Sequence, residues 1–138
     1  MVHDAEAFPY ETESYGVTIR VLPEFMPERS NPSDREYFWR YTVQIENGID
    51  ETIQLMSRHW VITDVRGARQ EVKGEGVVGE KPVLGPGERY VYSSGCPLSE
   101  ASGMMMGSFM MRREDGEEFK VTIPAFSLDS PHNRAVLN

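Results

Sequence analysis

The chain is short of the groups that organise disulfides, metals and membranes. Its 138 residues hold one cysteine, Cys96, so no internal disulfide can form and a reducing, cytoplasmic setting is expected. The three histidines, His3, His59 and His132, are far apart, and no C-x-x-C, H-x-H or H-E-x-x-H spacing occurs. Neither a metal site nor a bound cofactor is therefore expected, and direct affinity for divalent cations should be weak. No apolar run approaches the ~20 residues of a membrane helix. Met1–Glu6 has neither the basic nor the apolar region of a secretory signal. A basic stripe is also missing: Arg112-Arg113 is offset at once by Glu114-Asp115, which argues against a nucleic-acid partner. Nor does any window of roughly 11–18 residues carry the helical period of about 3.6.

What is present is the composition of one soluble domain, 39% hydrophobic and 26% charged, long enough for a modest core. The net charge of −8 is unevenly spread. Residues 1–36 carry eight acids and three bases, while the remaining 102 carry fourteen acids and eleven bases. Residues 1–13 have four acids, no base and no apolar period. They are expected to be a mobile acidic lead, with the domain running over 14–138.

From there the chain reads as strands. Val17, Ile19 and Val21 alternate with polar neighbours, and Pro23 and Pro27 restrict that strand to an edge or end it. Trp39, Tyr41, Val43 and Ile45 share one face of a strand over 37–46. The Asn47-Gly48 turn then predicts an antiparallel neighbour over 52–64. That strand changes phase: Ile53, Leu55 and Val61 form one set and Met56, Trp60 and Ile62 the other. The change suggests a central strand with a bulge near Ser57-Arg58. Shorter strands follow over 69–73, 89–93 and 104–113. Pro86-Gly87 suits the middle of a type II turn, and a last strand carries Phe119, Val121 and Ile123 up to Pro124. Seven or eight short strands with Gly, Pro and Asn turns imply an all-β fold, an antiparallel β-sandwich or a small barrel, with two packed sheets preferred.

Several stretches together resemble the ApaG family. They are Tyr41–Asn47 (YTVQIEN), Leu55–Asp64 (LMSRHWVITD), Gly74–Gly79 (GEGVVG), Leu84–Glu88 (LGPGE), Ser94–Leu98 (SGCPL), Gly107–Phe109 (GSF) and Ile123–Leu128 (IPAFSL). The resemblance spans roughly residues 15–138 in one order. It implies a bacterial β-sandwich, fibronectin type III-like or immunoglobulin-like, linked with cobalt and magnesium efflux. Similar domains in eukaryotic F-box proteins and in a polymerase-delta-interacting protein imply a protein-binding module. The family offers no catalytic residue to carry over, so a non-enzymatic role is expected. The methionine-rich Met104–Met106 and the acidic lead depart from the family pattern.

Three groups of residues are candidate sites. Gly74, Gly76 and Gly79 spell G-x-G-x-x-G, but the prolines and glycines of residues 80–87 cannot form the helix that receives a dinucleotide's phosphates. Two readings of the loop remain. Its amides form a nest for pyrophosphate, with Lys73 and Lys81 flanking it and Glu75 holding an accompanying Mg²⁺. Alternatively, the glycines supply positive φ for a loop crossing between sheets. Arg58-His59-Trp60 combines a cation, an imidazole and an indole, either as a base or metal ligand at His59 or as core and ion pair. Five of the eight methionines lie in Met104–Met111, either as strand core or as a pliable surface for a protein partner.

Overall fold

The computed structural model describes residues 7–133, and they fold into two antiparallel sheets packed face to face. One sheet contains β1 (Tyr10–Ser14), β2 (Val17–Phe25), β3 (Tyr37–Asn47) and β7 (Arg89–Leu98), in the order β1-β2-β3-β7. The other contains β4 (Ile53–Asp64), β5 (Arg69–Glu75), β8 (Gly103–Arg112) and β9 (Glu118–Leu128), in the order β5-β4-β8-β9. The two-residue β6 (Val83–Leu84) pairs with the start of β4. Strand alternation puts one face of each sheet in the core, as an antiparallel sandwich requires. Val17, Ile19, Val21, Trp39, Tyr41, Val43 and Ile45 are buried from one side, and Trp60, Ile62, Met105, Phe109 and Val121 from the other. Tyr41, Trp60 and Phe126 meet at ring-centroid distances of 5.2–6.0 Å across the interface. The Trp39 indole N–H donates to the Asp129 carbonyl at 2.8 Å, so its polar atom is satisfied inside the core.

The leading segment differs from expectation within the described residues. Phe8 is buried and Tyr10–Ser14 pairs with Val17–Val21 through a two-residue turn in which Tyr15 and Gly16 both have positive φ. Such a turn matches strand twist, which is why so polar a segment still forms a hairpin. Its hydroxyls then cover the outer edge of β9: Thr122 N–H donates to Ser14 Oγ and Ser127 N–H to Tyr10 Oη. Residues 1–6 of the expected lead lie outside the described residues.

Two strand expectations also change. β4 is not the hairpin partner of β3. β3 pairs with β2 and β7, and residues 48–52 carry the chain into the other sheet. Pro124 does not end β9. The ladder shifts between Met105 and Gly107, so Pro124 and Ala125 together face Met106, and a bulge on an edge strand tolerates the missing N–H. The bulge in β4 falls at Met56, between Leu55 and Ser57. It rotates the phase so that Ile53, Leu55, Trp60 and Ile62 all reach the core from one strand.

Candidate functional site

The glycine loop joins β5 to β6, and both strands pair with β4, so it stays within one sheet rather than crossing between sheets. Each glycine has a local structural reason. A Cβ on Gly74 would fall 2.8 Å from Nη1 of Arg58, whose guanidinium lies over that backbone and donates to the carbonyls of Glu75 and Gly76. Arg58 therefore bonds backbone carbonyls where a carboxylate partner was the simpler expectation. Gly76 has φ +63°, and a Cβ there would sit 2.2 Å from the Glu80 carbonyl oxygen. Gly79 has φ +81° beside Val78 at +42°, completing a tight turn closed by reciprocal 2.8 Å hydrogen bonds between Val77 and Glu80. The Gly76 amide donates to the carbonyl of Met56, the bulge residue of β4. The amides of Gly76, Val77 and Glu80 are thus already bonded within the protein. Lys81 Nζ pairs with Glu75 Oε1 at 2.7 Å, which holds the Glu75 carboxyl below its ordinary range.

Lys73 faces outward into a depression that Gly74 and Glu75 also line. Strand register lays out the outward face of the β5-β4-β8-β9 sheet in rows. One row is Glu75, Ser57, Met110 and Lys120. The next is Lys73, His59, Ser108 and Thr122. Beyond them lie Glu71, Val61 and Met106, then Arg69, Thr63 and Met104. The first two rows enclose an open depression of ≈ 450 Å³ lined by Ser57, His59, Lys73, Ser108, Met110 and Lys120 among others. His59 Nε2 lies 3.0 Å from Glu71 Oε2, and that bond lowers the Glu71 carboxyl. The expected methionine cluster divides by alternation. Met105 and Met111 are buried, whereas Met104 and Met106 are 44% and 46% exposed beside Val61.

The shifted acids and bases do not converge on neutral pH. Burial raises Tyr41, Tyr92 and Cys96, Cys96 to about 11, so all three stay protonated near pH 7. Cys96 is buried on β7, in the other sheet from the outward-facing His59, so the two do not form a thiol–imidazole pair. No group of three or more His, Cys, Asp or Glu side chains among the described residues is placed to hold a metal ion. Among the described residues, no helix is long and apolar enough to cross a membrane.

The raised thiol gives a direct expectation. At pH 8 about one Cys96 in a thousand would be thiolate, so iodoacetamide should label the folded protein very slowly and the urea-unfolded chain readily. Because the folded value lies above the ordinary value of 9.0, this thiol's contribution to stability is complete below pH 9 and is lost as pH rises towards 11. Native labelling as fast as that of the unfolded chain would contradict this burial.

Fold and surface define a two-sheet β-sandwich whose distinctive groups lie on one open sheet face rather than in an enclosed cleft. Residues 27–113 match the ApaG domain. The protein named ApaG from Afipia carboxidovorans is 55% identical over 129 residues, covering 94% of this chain and 99% of that protein. ApaG from Bradyrhizobium sp. (strain ORS 278) is 56% identical over the same shares. The chain belongs to the ApaG family. Its backbone is similar to the crystal structure of a Bordetella pertussis protein named ApaA, with TM-score 0.82, 42% identity, and coverage of 91% of this chain and 100% of that one. A looser likeness to the C-terminal domain of wzt, with TM-score 0.53 at 12% identity, extends to the fold alone.

Sequence reasoning picked out Lys73 but attached it to the glycine loop, and it did not single out Ser108 or Lys120. Neither stands out until the register across β4, β8 and β9 is known, and that register depends on the two bulges.

Proposed function

We propose that the chain is a non-enzymatic binding module that docks a protein partner on the outward face of its β5-β4-β8-β9 sheet. The observation that carries this is the pair Met104 and Met106, exposed beside Val61 where an antiparallel sheet normally presents polar groups to water. Thioether side chains adapt to irregular surfaces, and the flanking Arg69, Glu71 and Lys73 supply a charged rim. The link with divalent-cation efflux that the family resemblance implies would then run through the partner, a cytoplasmic face of a transporter or its regulator. The face offers thioethers and lysines rather than a carboxylate cage for Co²⁺ or Mg²⁺.

The test is affinity capture from a native bacterial lysate, compared across variants. A partner held by the wild-type chain should be lost with Met104→Glu/Met106→Glu and retained with Val83→Glu, an exposed apolar site on β6. Retention by the double methionine variant would remove this face from the binding role.

A further inference from the structure

We propose a second site on the same sheet: the depression over Ser57, His59 and Ser108 binds a small phosphate-type anion between Lys73 and Lys120. It is separable from the docking proposal: the two share only Lys73, a rim residue there, and this site rests on Lys120, Ser57 and Ser108 and on a different chemistry. It also differs from a nest in the glycine loop, whose amides at Gly76, Val77 and Glu80 are already bonded.

The first argument is charge pairing. The chain carries a net charge of −8, and its cations are largely engaged. Arg20, Arg35, Arg40, Arg66, Arg69, Lys81, Arg89, Arg112 and Arg113 each have a carboxylate within 4.0 Å. Arg29 lies over the Phe38 ring and Arg58 bonds backbone carbonyls. Among the described residues, Lys73 and Lys120 have no ion-pair partner, although acids are abundant, and both line this depression. The nearby carboxylates are already held: Glu71 by His59, Glu75 by Lys81 and Glu118 by Arg112. An incoming anion therefore meets two ammonium groups free of a direct ion pair, with Glu75 also lining the depression and Glu71 within electrostatic reach of Lys73.

The second argument is the floor between them. Ser57 and Ser108 present hydroxyls with no hydrogen-bond partner among the described residues, and each can donate to an oxyanion. The floor is rigid, because β4 and β8 are paired throughout this stretch.

The third argument is reach. Lys73 on β5 and Lys120 on β9 are three strand spacings apart and offset by one row, which puts their Cα atoms about 16 Å apart. Two lysine side chains of about 6 Å each, laid fully extended along the sheet, would bring the ammonium groups to roughly 4 Å, so partly raised off it they span the roughly 6–8 Å that a phosphate hydrogen-bonded on both sides requires. A diphosphate fits with the side chains less extended. Two mobile, solvated lysines make this a weak and salt-sensitive site rather than a tight one.

The experiment is an NMR titration of the full chain with inorganic phosphate and, separately, diphosphate, at low ionic strength and without added metal. Saturable shifts are expected at the amides of Ser57, His59, Lys73 and Ser108, with diphosphate binding more tightly than phosphate. Lys73→Gln and Lys120→Gln, both exposed and uncoupled from the core, should each weaken binding by about fivefold or more, and the double variant should abolish saturation. Arg40→Gln, on β3 of the other sheet, should leave the affinity unchanged, whereas Lys81→Gln frees the Glu75 carboxylate that lines the depression and should weaken binding. Shifts that never saturate, that centre on residues 76–80, or that persist in the double variant would overturn the proposal. None of these outcomes bears on whether Met104 and Met106 dock a protein.

Discussion

Trp60→Ala is expected to lower the free energy of unfolding by about 3–5 kcal/mol, the usual cost of truncating a large aromatic core residue. Trp60 is 2% exposed at the middle of β4, the strand that pairs with β5, β6 and β8. It packs at 5.2 Å from the Tyr41 ring and 5.9 Å from the Phe126 ring, so it joins both sheets. The site cannot readily collapse onto an alanine. Opposite Trp60 on β8 is Gly107, which has no side chain to move in, and a Cβ there would lie 2.1 Å from the His59 carbonyl oxygen. For a domain with about 5–15 kcal/mol in total, the loss would be a large fraction of its stability. Urea denaturation followed by circular dichroism would measure it. A change below about 1 kcal/mol would mean that Trp60 does not bridge the sheets as described.

That Trp60 belongs to the core was legible because tryptophan within an alternating strand has few other places to go. The phase of the strand around it was only half legible. Ile53 and Leu55 appeared to oppose Trp60 and Ile62, yet Met56 adds one residue and all four point inward. A bulge leaves a visible trace in apolar period but not its exact position. The strand over 10–14 left no such trace: Tyr10, Thr12 and Ser14 alternate with glutamates, and the segment is held by pairing to β2 and by hydroxyls reaching β9. Pro124 was misread for a related reason. Its lost N–H matters only if a partner needs it, and at a bulge on an edge strand none does.

The candidate sites follow the same logic. G-x-G-x-x-G is read as phosphate chemistry when a helix follows, yet here each glycine answers a local steric need set by Arg58, by Glu80 or by positive φ. Arg58 could be tied to Gly74 only after β4 and β5 were in register. Likewise, Lys73 and Lys120 are 47 positions apart and share a surface only because β4 and β8 lie between their strands. Local pattern reveals which residues face outward, whereas the meeting of residues from four strands is a property of topology.

The clearest case is Asn47, whose replacement by alanine is expected to cost about 2–4 kcal/mol. Asn47-Gly48 is a hairpin signature, but the asparagine side chain redirects the chain instead. Its Oδ1 accepts from Ile49 N–H at 2.9 Å, and its Nδ2 donates to the Glu51 carbonyl at 2.9 Å, fixing the passage from β3 towards β4. The same Nδ2 reaches the carbonyls of Leu84 and Gly85 at 3.1 Å, tying this passage to β6 and to the Pro86-Gly87 turn. Backbone bonds with Glu88 and Gly87 lock the other side. The residue is fully buried, so alanine would leave acceptors and one donor without replacement by bulk water, and that desolvation dominates the cost. Asn47→Asp separates the two halves of the network. It keeps the acceptor for Ile49 but turns a carboxylate oxygen towards three carbonyls, so at pH 7 it should be worse than alanine and should recover partly as pH falls and the acid protonates. Urea unfolding of both variants at pH 7 and pH 4.5 would read this. An aspartate variant as stable as wild type at pH 7 would mean that the amide N–H groups do not hold the crossover, and that the turn is set by Gly48 and the flanking strands alone.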